Sequence, residues 1–384
     1  MARADGSLTR VRLRSGLRVV RRGLGEVQIG TDRRWAVRVD GLTPPEARVL
    51  EALADGTPVD LAAGDARLDR SRLTALVGQL EAAGVTEPVA RRATTGPSGA
   101  DARVLTLLRP DGDGGGTVAA RAERAVGVVG LGTTGLGIAA ALATAGVGRV
   151  VLEDERPVRS ADVGPSGYRW PDVGRPRARA AVRVVTGIAP TVATEPAPTT
   201  VRSSDDHGAA ARVDLVVVVS DDVVDPALAA RLVNRGTPHL SVVLREADTV
   251  VGPLVAPGRG PCLRCLDLHR RDADPAWPAL AAALATTAAS HPPPEPVAVA
   301  SAAAGLASAA VLAHLDAPDA PHRWHGATFE LGLPDALPRE RRWAVHPACG
   351  CTAQGSGDPA VMVRPRGACV DGLDHAWSGR PLHR

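Results

Sequence analysis

Three glycines and one acidic residue have the spacing of a nucleotide site. Residues 126–130 form an apolar run typical of a buried strand, which leads directly into Gly130, Gly132 and Gly135. In such a loop the first glycine permits the tight turn, the second lets the backbone approach a phosphate, and the third lets the next helix pack on the strand. Asp154 ends the following predicted strand. The same loop also occurs in NAD-dependent oxidoreductases and in sheets that bind no ligand, so these interpretations stay open.

Four of the five cysteines form two close pairs, Cys262 with Cys265 and Cys349 with Cys351. Four thiolates suit a tetrahedral zinc ion, and a site with all four positions filled by protein is structural rather than catalytic. Unpaired buried thiols are the alternative. The fifth cysteine, Cys369, has no predicted role.

Composition excludes some classes of function. A chain of 384 residues is long enough for two or three domains. The net charge is only +3, and arginines are interspersed with acidic residues, so nucleic acid is not favoured as a partner. The N-terminus lacks the apolar core of a signal peptide, and we expect a cytoplasmic protein with no membrane-spanning helix.

The largest predicted unit is a doubly wound α/β domain over residues 123–352, with a Rossmann-like sheet. Apolar strands alternate with helical patterns along this segment, as expected for a parallel sheet. The predicted strands are 126–130, 149–153, 214–219, 240–244, 328–331 and 343–345, and the predicted helices are 136–145, 174–187, 226–235 and 297–315.

Residues 1–90 have a different pattern, typical of a small winged-helix-like α+β module. Alternating residues predict strands at 27–29 and 36–39. Thr43 is an N-cap followed by proline, and a second helical pattern stops at Gly84. Two further segments complete the predicted organisation: a glycine-rich flexible junction at 91–122 and a poorly ordered tail at 353–384.

Residues 124–352 resemble the ThiF/MoeB/HesA adenylyltransferases, which are related to ubiquitin-activating enzymes. The resemblance rests on the glycine loop, the acid after the second strand, a strand ending in Asp221, and the two cysteine pairs. In this family ATP and Mg²⁺ activate the C-terminal carboxylate of a small protein. The resemblance implies nucleotide contacts at the glycine loop and Asp154, a magnesium contact at Asp221, and Arg177 in place of the family lysine.

Several positions differ from the family pattern. Arg156 occupies the second acidic position, and Pro165 stands where the family has an arginine, with Arg169 four residues further on. Arg177 keeps the charge of the family lysine but has a planar guanidinium. Residues 266–315 contain no cysteine, which disfavours thioester chemistry.

The N-terminal module resembles leader-peptide-binding modules of ribosomal-peptide biosynthesis. Similar modules are fused to ThiF-like partners of azole-forming cyclodehydratases, in which a separate YcaO-type protein carries the ATP chemistry. The resemblance implies that a precursor peptide adds a strand near residues 27–39. The alternative is a winged helix for dimerisation or DNA binding, given four nearby arginines: Arg33, Arg34, Arg38 and Arg48.

Two functions therefore remain. The first is presentation of a precursor peptide to a partner enzyme by a protein whose adenylyltransferase site has degenerated. The second is an active adenylyltransferase that uses ATP, Mg²⁺, Asp154, Arg177 and Asp221 to activate a small ubiquitin-like carrier protein. A nicotinamide-dependent oxidoreductase ranks last, because it explains neither the cysteine pairs nor the long loop after Glu153. The family resemblance implies a homodimer.

Overall fold

A computed structural model gives the fold and describes residues 11–53, 57–59, 62, 69–89, 94–196 and 213–352. The tail predicted at 353–384, with Cys369, lies outside these residues.

The N-terminal part contains five short strands and four helices among its described residues. The strands are β1 (Val11–Leu13), β2 (Val19–Gly23), β3 (Glu26–Ile29), β4 (Val37–Val39) and β5 (Thr86–Pro88), and the helices are α1 (Pro44–Ala52), α2 (Arg70–Ala82), α3 (Gly99–Leu108) and α4 (Gly114–Arg121). Strands β2, β3 and β4 form an antiparallel sheet in that order, and β1 pairs with β5.

The predicted helix signals are correct in this part. The backbone N–H of Thr43 donates to Oε2 of Glu46 at 2.7 Å, which caps α1, and Gly84 follows α2 with a φ of +69°. The two helices and β3 share one apolar core that includes Ile29, Leu50 and Leu80. Whether this arrangement is a winged helix remains a prediction.

The glycine-rich stretch at 114–116, expected to lie outside any helix, is the first turn of α4. Asp113 caps it by accepting a hydrogen bond from the N–H of Gly116 at 2.9 Å. The buried guanidinium of Arg121, at the end of α4, pairs with Asp101 of α3 at 2.6 Å and with Asp316 at 2.7 Å. Capping and these ion pairs compensate for the low helix propensity of three glycines.

The remaining described residues form one eight-stranded sheet with helices on its faces. Its strands are β6 (Ala125–Val129), β7 (Arg149–Glu153), β8 (Ala193–Pro196), β9 (Leu215–Asp221), β10 (His239–Leu244), β11 (Asp248–Val255), β12 (Ala327–Gly332) and β13 (Arg339–Arg342), and its helices are α5 (Thr133–Thr144), α6 (Arg177–Ile188), α7 (Pro226–Asn234), α8 (Leu263–Ala273), α9 (Trp277–Ser290) and α10 (Val297–Asp316).

The strand order is β13-β12-β11-β10-β9-β6-β7-β8. The five strands from β8 to β10 are parallel, whereas β11, β12 and β13 continue the sheet in antiparallel fashion. The predicted Rossmann-like sheet is therefore correct for its parallel part. The strand predicted at 343–345 is wrong, since these residues form no strand and β13 ends at Arg342.

Helix α10 is long and apolar enough, by length and composition alone, to cross a membrane, which the sequence expectation overlooked. Half of its apolar window is buried, and it packs on α5 and β11. Ala303, Ala307 and Ala310 have no exposed surface. The hydrophobicity of α10 is thus accounted for by its place in the core.

Candidate nucleotide site and metal centre

The carboxyl ends of three neighbouring parallel strands bring the predicted nucleotide residues together. The glycine loop follows β6, Asp154 follows β7, and Asp221 ends β9. Strand β7 lies on one side of β6 and β9 lies on the other, so the direction of strand order reverses at β6. Open α/β sheets bind ligands at such a switch point. A pocket of about 730 Å³ opens here, lined by Asp154, Asp221 and Arg177 among others.

At each position of the loop a side chain is excluded by a different steric clash. Gly130 has a φ of +86°, and a Cβ there would collide with the carbonyl oxygen of Val219. A Cβ on Gly135 would collide with the carbonyl oxygen of Gly130. A Cβ on Gly132 would collide with the carboxylate of Glu295. The first and third glycines thus do what the sequence predicts, whereas the second faces an acidic side chain.

Glu295 occupies the N-terminus of α5. Its Oε2 accepts a hydrogen bond from the N–H of Thr134 at 2.7 Å, and its Oε1 accepts one from the N–H of Thr133 at 3.3 Å. The Glu295 side chain is only 5% exposed. These amides are the donors that a glycine loop offers to a phosphate. Glu295 was not among the predicted site residues, and its signal in the sequence is an acid within a run of prolines directly before α10.

Every acceptor position of Asp154 is used within the chain. Oδ2 accepts from the N–H of Leu131 at 2.8 Å and from Arg177 at 3.2 Å, and Oδ1 accepts from the N–H and Nε of Arg156, both at 3.0 Å. Burial alone would raise the pKa of Asp154, but the two arginines and the Leu131 amide outweigh it and hold the pKa below its usual value. Asp154 is therefore a fully bonded carboxylate.

Asp221 is paired with the arginine that replaces the second family acid. Nη1 of Arg156 lies 2.6 Å from Oδ2 of Asp221. One guanidinium thus bridges the strand ends of β7 and β9, at the place where two acids would together attract a divalent cation. Arg156 was noted in the sequence as a departure, but its contact with Asp221 was not foreseen.

Arg177 lies beneath the pocket and is almost fully buried. It donates to Oδ2 of Asp162 through Nε at 3.0 Å and Nη2 at 2.6 Å, in addition to its contact with Asp154. Burial would lower the pKa of Arg177, but the two carboxylates raise it above its usual value. Its donors are directed to protein acids. Its predicted catalytic role stays a prediction.

Arg159 also lines the pocket and was not among the predicted site residues. Its Nη2 lies 3.0 Å from Oδ1 of Asp162 and 4.0 Å from Oε1 of Glu295. Pro165 and Arg169, considered from the sequence as the arginine position and its substitute, are exposed and do not line this pocket. The positive charge next to the loop is thus already shared between two acids.

Mg²⁺ and ATP do not fit the arrangement of these side chains. The phosphate position of the loop holds a carboxylate, and Asp154 and Asp221, the two acids expected to serve a nucleotide and its metal, are bonded to arginines. A phosphate or a cation would have to displace a charge-assisted contact at each position, which costs more than displacing water.

The four predicted cysteines converge. Sγ of Cys262 lies 3.9 Å from that of Cys265 and 3.7 Å from that of Cys349, and Sγ of Cys265 lies 3.5 Å from that of Cys351. All four sulfurs are within 4.8 Å of one another. A zinc ion with Zn–S bonds of about 2.3 Å needs sulfur separations of roughly 3.8 Å, so a tetrahedral metal fits the four sulfurs.

Two elements position the cysteines. Cys262 is the N-cap of α8 and Cys265 lies in its first turn, while the second pair follows β13. His346 holds the second segment, because its Nε2 lies 2.7 Å from Asp272 of α8 and its carbonyl oxygen accepts from the N–H of Cys349 at 2.9 Å. A metal here would fasten α8 to the segment after the last strand.

The N-terminal sheet offers a free strand edge in the predicted peptide region. Strand β4 pairs with β3 only, and within the described ranges no strand lies on its other side. Arg38 is exposed in the middle of β4, between the half-buried Val37 and Val39. The opposite outer strand, β2, is tied to α1 by the pair of Arg21 and Glu51 at 2.7 Å.

Comparisons with known proteins agree with this fold. The sequence pattern of the ThiF family matches residues 114–329, more than half of the chain. The SAMP-activating enzyme E1 of Haloferax volcanii is 33% identical over 143 residues, which are 36% of this chain and 52% of that protein. The chain thus spans about half the length of this curated relative.

Solved structures resemble almost the whole chain. E. coli MccB crystallised with MccA has a TM-score of 0.64 at 15% identity and covers 90% of this chain and 99% of its own. E. coli MccB with ATP gives 0.62 at 16%, covering 89% and 99%, and PaaA gives 0.59 at 17%, covering 86% and 99%. At these identities the likeness concerns the fold, and its extent includes the N-terminal part. Given its sequence match and its sheet, the chain belongs to the ThiF family.

Proposed function

We propose that this ThiF-family protein binds a precursor (leader) peptide at its N-terminal sheet and presents it to a partner modifying enzyme, without adenylating a substrate itself. The observation that carries the proposal is the contact between Arg156 and Asp221 at 2.6 Å. A carboxylate that neutralises a guanidinium is a poor ligand for Mg²⁺, and adenylation depends on that ion to stabilise charge in the transition state.

The peptide part of the proposal is supported by the free edge of β4. An extended peptide that pairs with β4 would gain main-chain hydrogen bonds and would contact the side chains of Arg38 and its neighbours. The fold likeness to MccB, crystallised with MccA, extends into this N-terminal part. By resemblance to the cyclodehydratase partners, a YcaO-type enzyme would receive the peptide and carry the ATP chemistry.

Peptide binding is tested by calorimetric titration with short peptides encoded beside the gene, followed by hydrogen exchange. A bound peptide is expected to slow exchange at β4, residues 37–39, and to leave β2, residues 19–23, unchanged. Absence of binding by every such peptide would refute the peptide part of the proposal. Protection confined to another surface would refute its placement at β4.

The second candidate is an active adenylyltransferase that activates the C-terminal carboxylate of a small carrier protein. It is favoured by the 730 Å³ pocket at the correct strand ends and by the identity to a SAMP-activating enzyme. ATP–pyrophosphate exchange separates the two candidates. Exchange that Asp221→Ala abolishes would establish the enzyme and contradict the scaffold.

Three further properties belong to the same proposal. The metal at the four cysteines is zinc, in a structural role, since thiolates are preferred zinc ligands and all four positions are filled. The protein forms a homodimer, as the family resemblance implies. It works in the cytoplasm, where paired cysteines bind metal more readily than they form disulfides.

A further inference from the structure

We infer that Glu295 decides which ligands the glycine loop accepts: its carboxylate fills the position of a phosphate group, so the loop rejects nucleotide phosphates while Glu295 is in place. The inference rests on the proposed function and gives the reason why the pocket beside the glycine loop does not bind nucleotide. Peptide binding at β4 does not depend on it.

The first support is the bonding of the carboxylate. Both oxygens of Glu295 accept hydrogen bonds from the first amides of α5, with donors at 2.7 Å and 3.3 Å. These N–H groups have no partner inside their own helix, and the helix dipole favours a negative charge beside them. Glu295 therefore meets the same requirement that a phosphate meets in other glycine loops.

The second support is steric. A Cβ on Gly132 would collide with Oε1 of Glu295, so the carboxylate lies directly against the backbone that must approach a phosphate. A phosphate at this point would overlap the carboxylate and also meet its negative charge. Shared occupancy is excluded, so one anion must leave before the other binds.

The third support is the backbone that carries Glu295. Residues 292–294 and Pro296 are prolines, so φ is restricted on both sides of the glutamate. Pro296 is the N-cap of α10, which is packed into the core from Val299 onward. The glutamate is thus held against the loop by a stiff segment anchored to a core helix.

The fourth support is the charge around the loop. Arg159 lies 4.0 Å from Glu295 but is also paired with Asp162, and Arg156 and Arg177 are bonded to other acids. A triphosphate in the pocket would meet the negative charge of Glu295 at the point where its phosphate would bind. The arginines nearby are already paired with acids. Removal of Glu295 leaves two N–H donors and Arg159 facing the same point, which is an anion site.

The experiment is calorimetric titration of the full chain with inorganic pyrophosphate and with Mg–ATP. We expect Glu295→Ala to bind pyrophosphate with a dissociation constant at least about tenfold below the weakest one that the titration can detect, in line with the strength of charge-assisted hydrogen bonds. The wild type should show no measurable binding. Glu295→Gln, which keeps the side-chain size without the charge, should fall between them. Glu246→Ala removes an exposed acid from the loop between β10 and β11 and should bind like the wild type.

Wild-type binding as tight as that of Glu295→Ala would overturn the inference, as would a folded Glu295→Ala that gains no affinity. If that variant does not fold, wild-type protein labelled with ¹⁵N-threonine provides the test. Pyrophosphate should leave the amide signals of Thr133 and Thr134 unchanged, and a shift in both would show that the carboxylate yields. ATP binding by the wild type without pyrophosphate exchange would refute this inference and leave the proposed function standing.

Discussion

Arg156 and Asp221 join the ends of two parallel strands through a contact of 2.6 Å between Nη1 and Oδ2. The same guanidinium donates to Asp154, so a single side chain contacts both acids that line the pocket. This arrangement ties the carboxyl ends of β7 and β9 together through charge-assisted contacts.

Arg156→Ala should lower the free energy of unfolding by about 1–3 kcal/mol, because it leaves the buried carboxylate of Asp154 with one cation fewer. The loss stays small because the Arg156 side chain is 48% exposed and partly screened by water. Urea unfolding at pH 7 measures the loss. Arg179→Ala, an exposed arginine of α6, should change stability by less than about 0.5 kcal/mol. Equal effects of the two substitutions would contradict the bridging role.

Gly132→Ala and Glu295→Ala should be strongly coupled. The three atoms nearest to a methyl group on Gly132 all belong to the Glu295 carboxylate, with which it would collide, so Gly132→Ala alone is expected to cost about 1–3 kcal/mol. In the Glu295→Ala background the same change should cost less than about 1 kcal/mol. A double-mutant cycle in urea measures the coupling. Gly135→Ala is the matched control, since its clash with the Gly130 carbonyl oxygen persists in both backgrounds.

The purified protein should contain about one zinc ion per chain, and Cys265→Ser should abolish its retention. Loss of the metal leaves buried thiols, and burial and the neighbouring sulfurs raise the pKa of Cys262 above its usual value in the metal-free cluster. We expect unfolding to become easier by at least about 3 kcal/mol, since metal binding adds directly to folding free energy. Elemental analysis and thermal melting check this, with Cys369→Ser as the control. Full stability without bound metal would show that the cluster is not a structural metal site.

Mild acid should destabilise the protein through two buried histidines. Burial lowers the pKa of His239 to about 4, and burial together with the nearby His322 and His325 lowers that of His314 to about 4. Because unfolded histidines take up protons below about pH 6.5, the stabilisation is complete above that pH and is lost as the pH falls toward 4.

Each histidine should therefore contribute about 2 kcal/mol to the difference in unfolding free energy between pH 7 and pH 5. His314→Gln should reduce that difference by a similar amount, whereas His291→Gln, at an exposed position, should leave it unchanged. Unfolding curves at the two pH values measure this. An undiminished difference in His314→Gln would mean that this histidine does not titrate in the expected range.

The sequence predicts what depends on local pattern. The parallel strands β6, β7, β9 and β10 are continuous apolar runs, and the first and third glycines have steric roles that their spacing predicts. The four cysteines also converge as expected. The strands and glycines are local patterns, and the cysteines could be grouped across a long stretch of sequence because two close pairs in a cysteine-poor chain are typical of one metal site.

Contacts between distant segments that carry no such motif could not be predicted from the sequence. Glu295 and Thr134 are separated by a long stretch of sequence, and their hydrogen bond depends on how α10 packs beside α5. The contact of Arg156 with Asp221 depends equally on the neighbouring positions of β7 and β9 through β6. The helix at 114–121 was missed because Asp113 and the ion pairs of Arg121 outweigh the low propensity of its glycines.

Helix α10 is one uninterrupted helix of 20 residues, about 30 Å long. Just before its start, Glu295 contacts the glycine loop, and at its end Asp316 pairs with Arg121, which also pairs with Asp101 of α3. Helix α10 cannot shift to free the loop without straining the ion pair between Asp316 and Arg121. A change that frees the loop therefore has to come from the Glu295 side chain alone, because the flanking prolines and the ion pair at the far end of α10 hold the backbone in place.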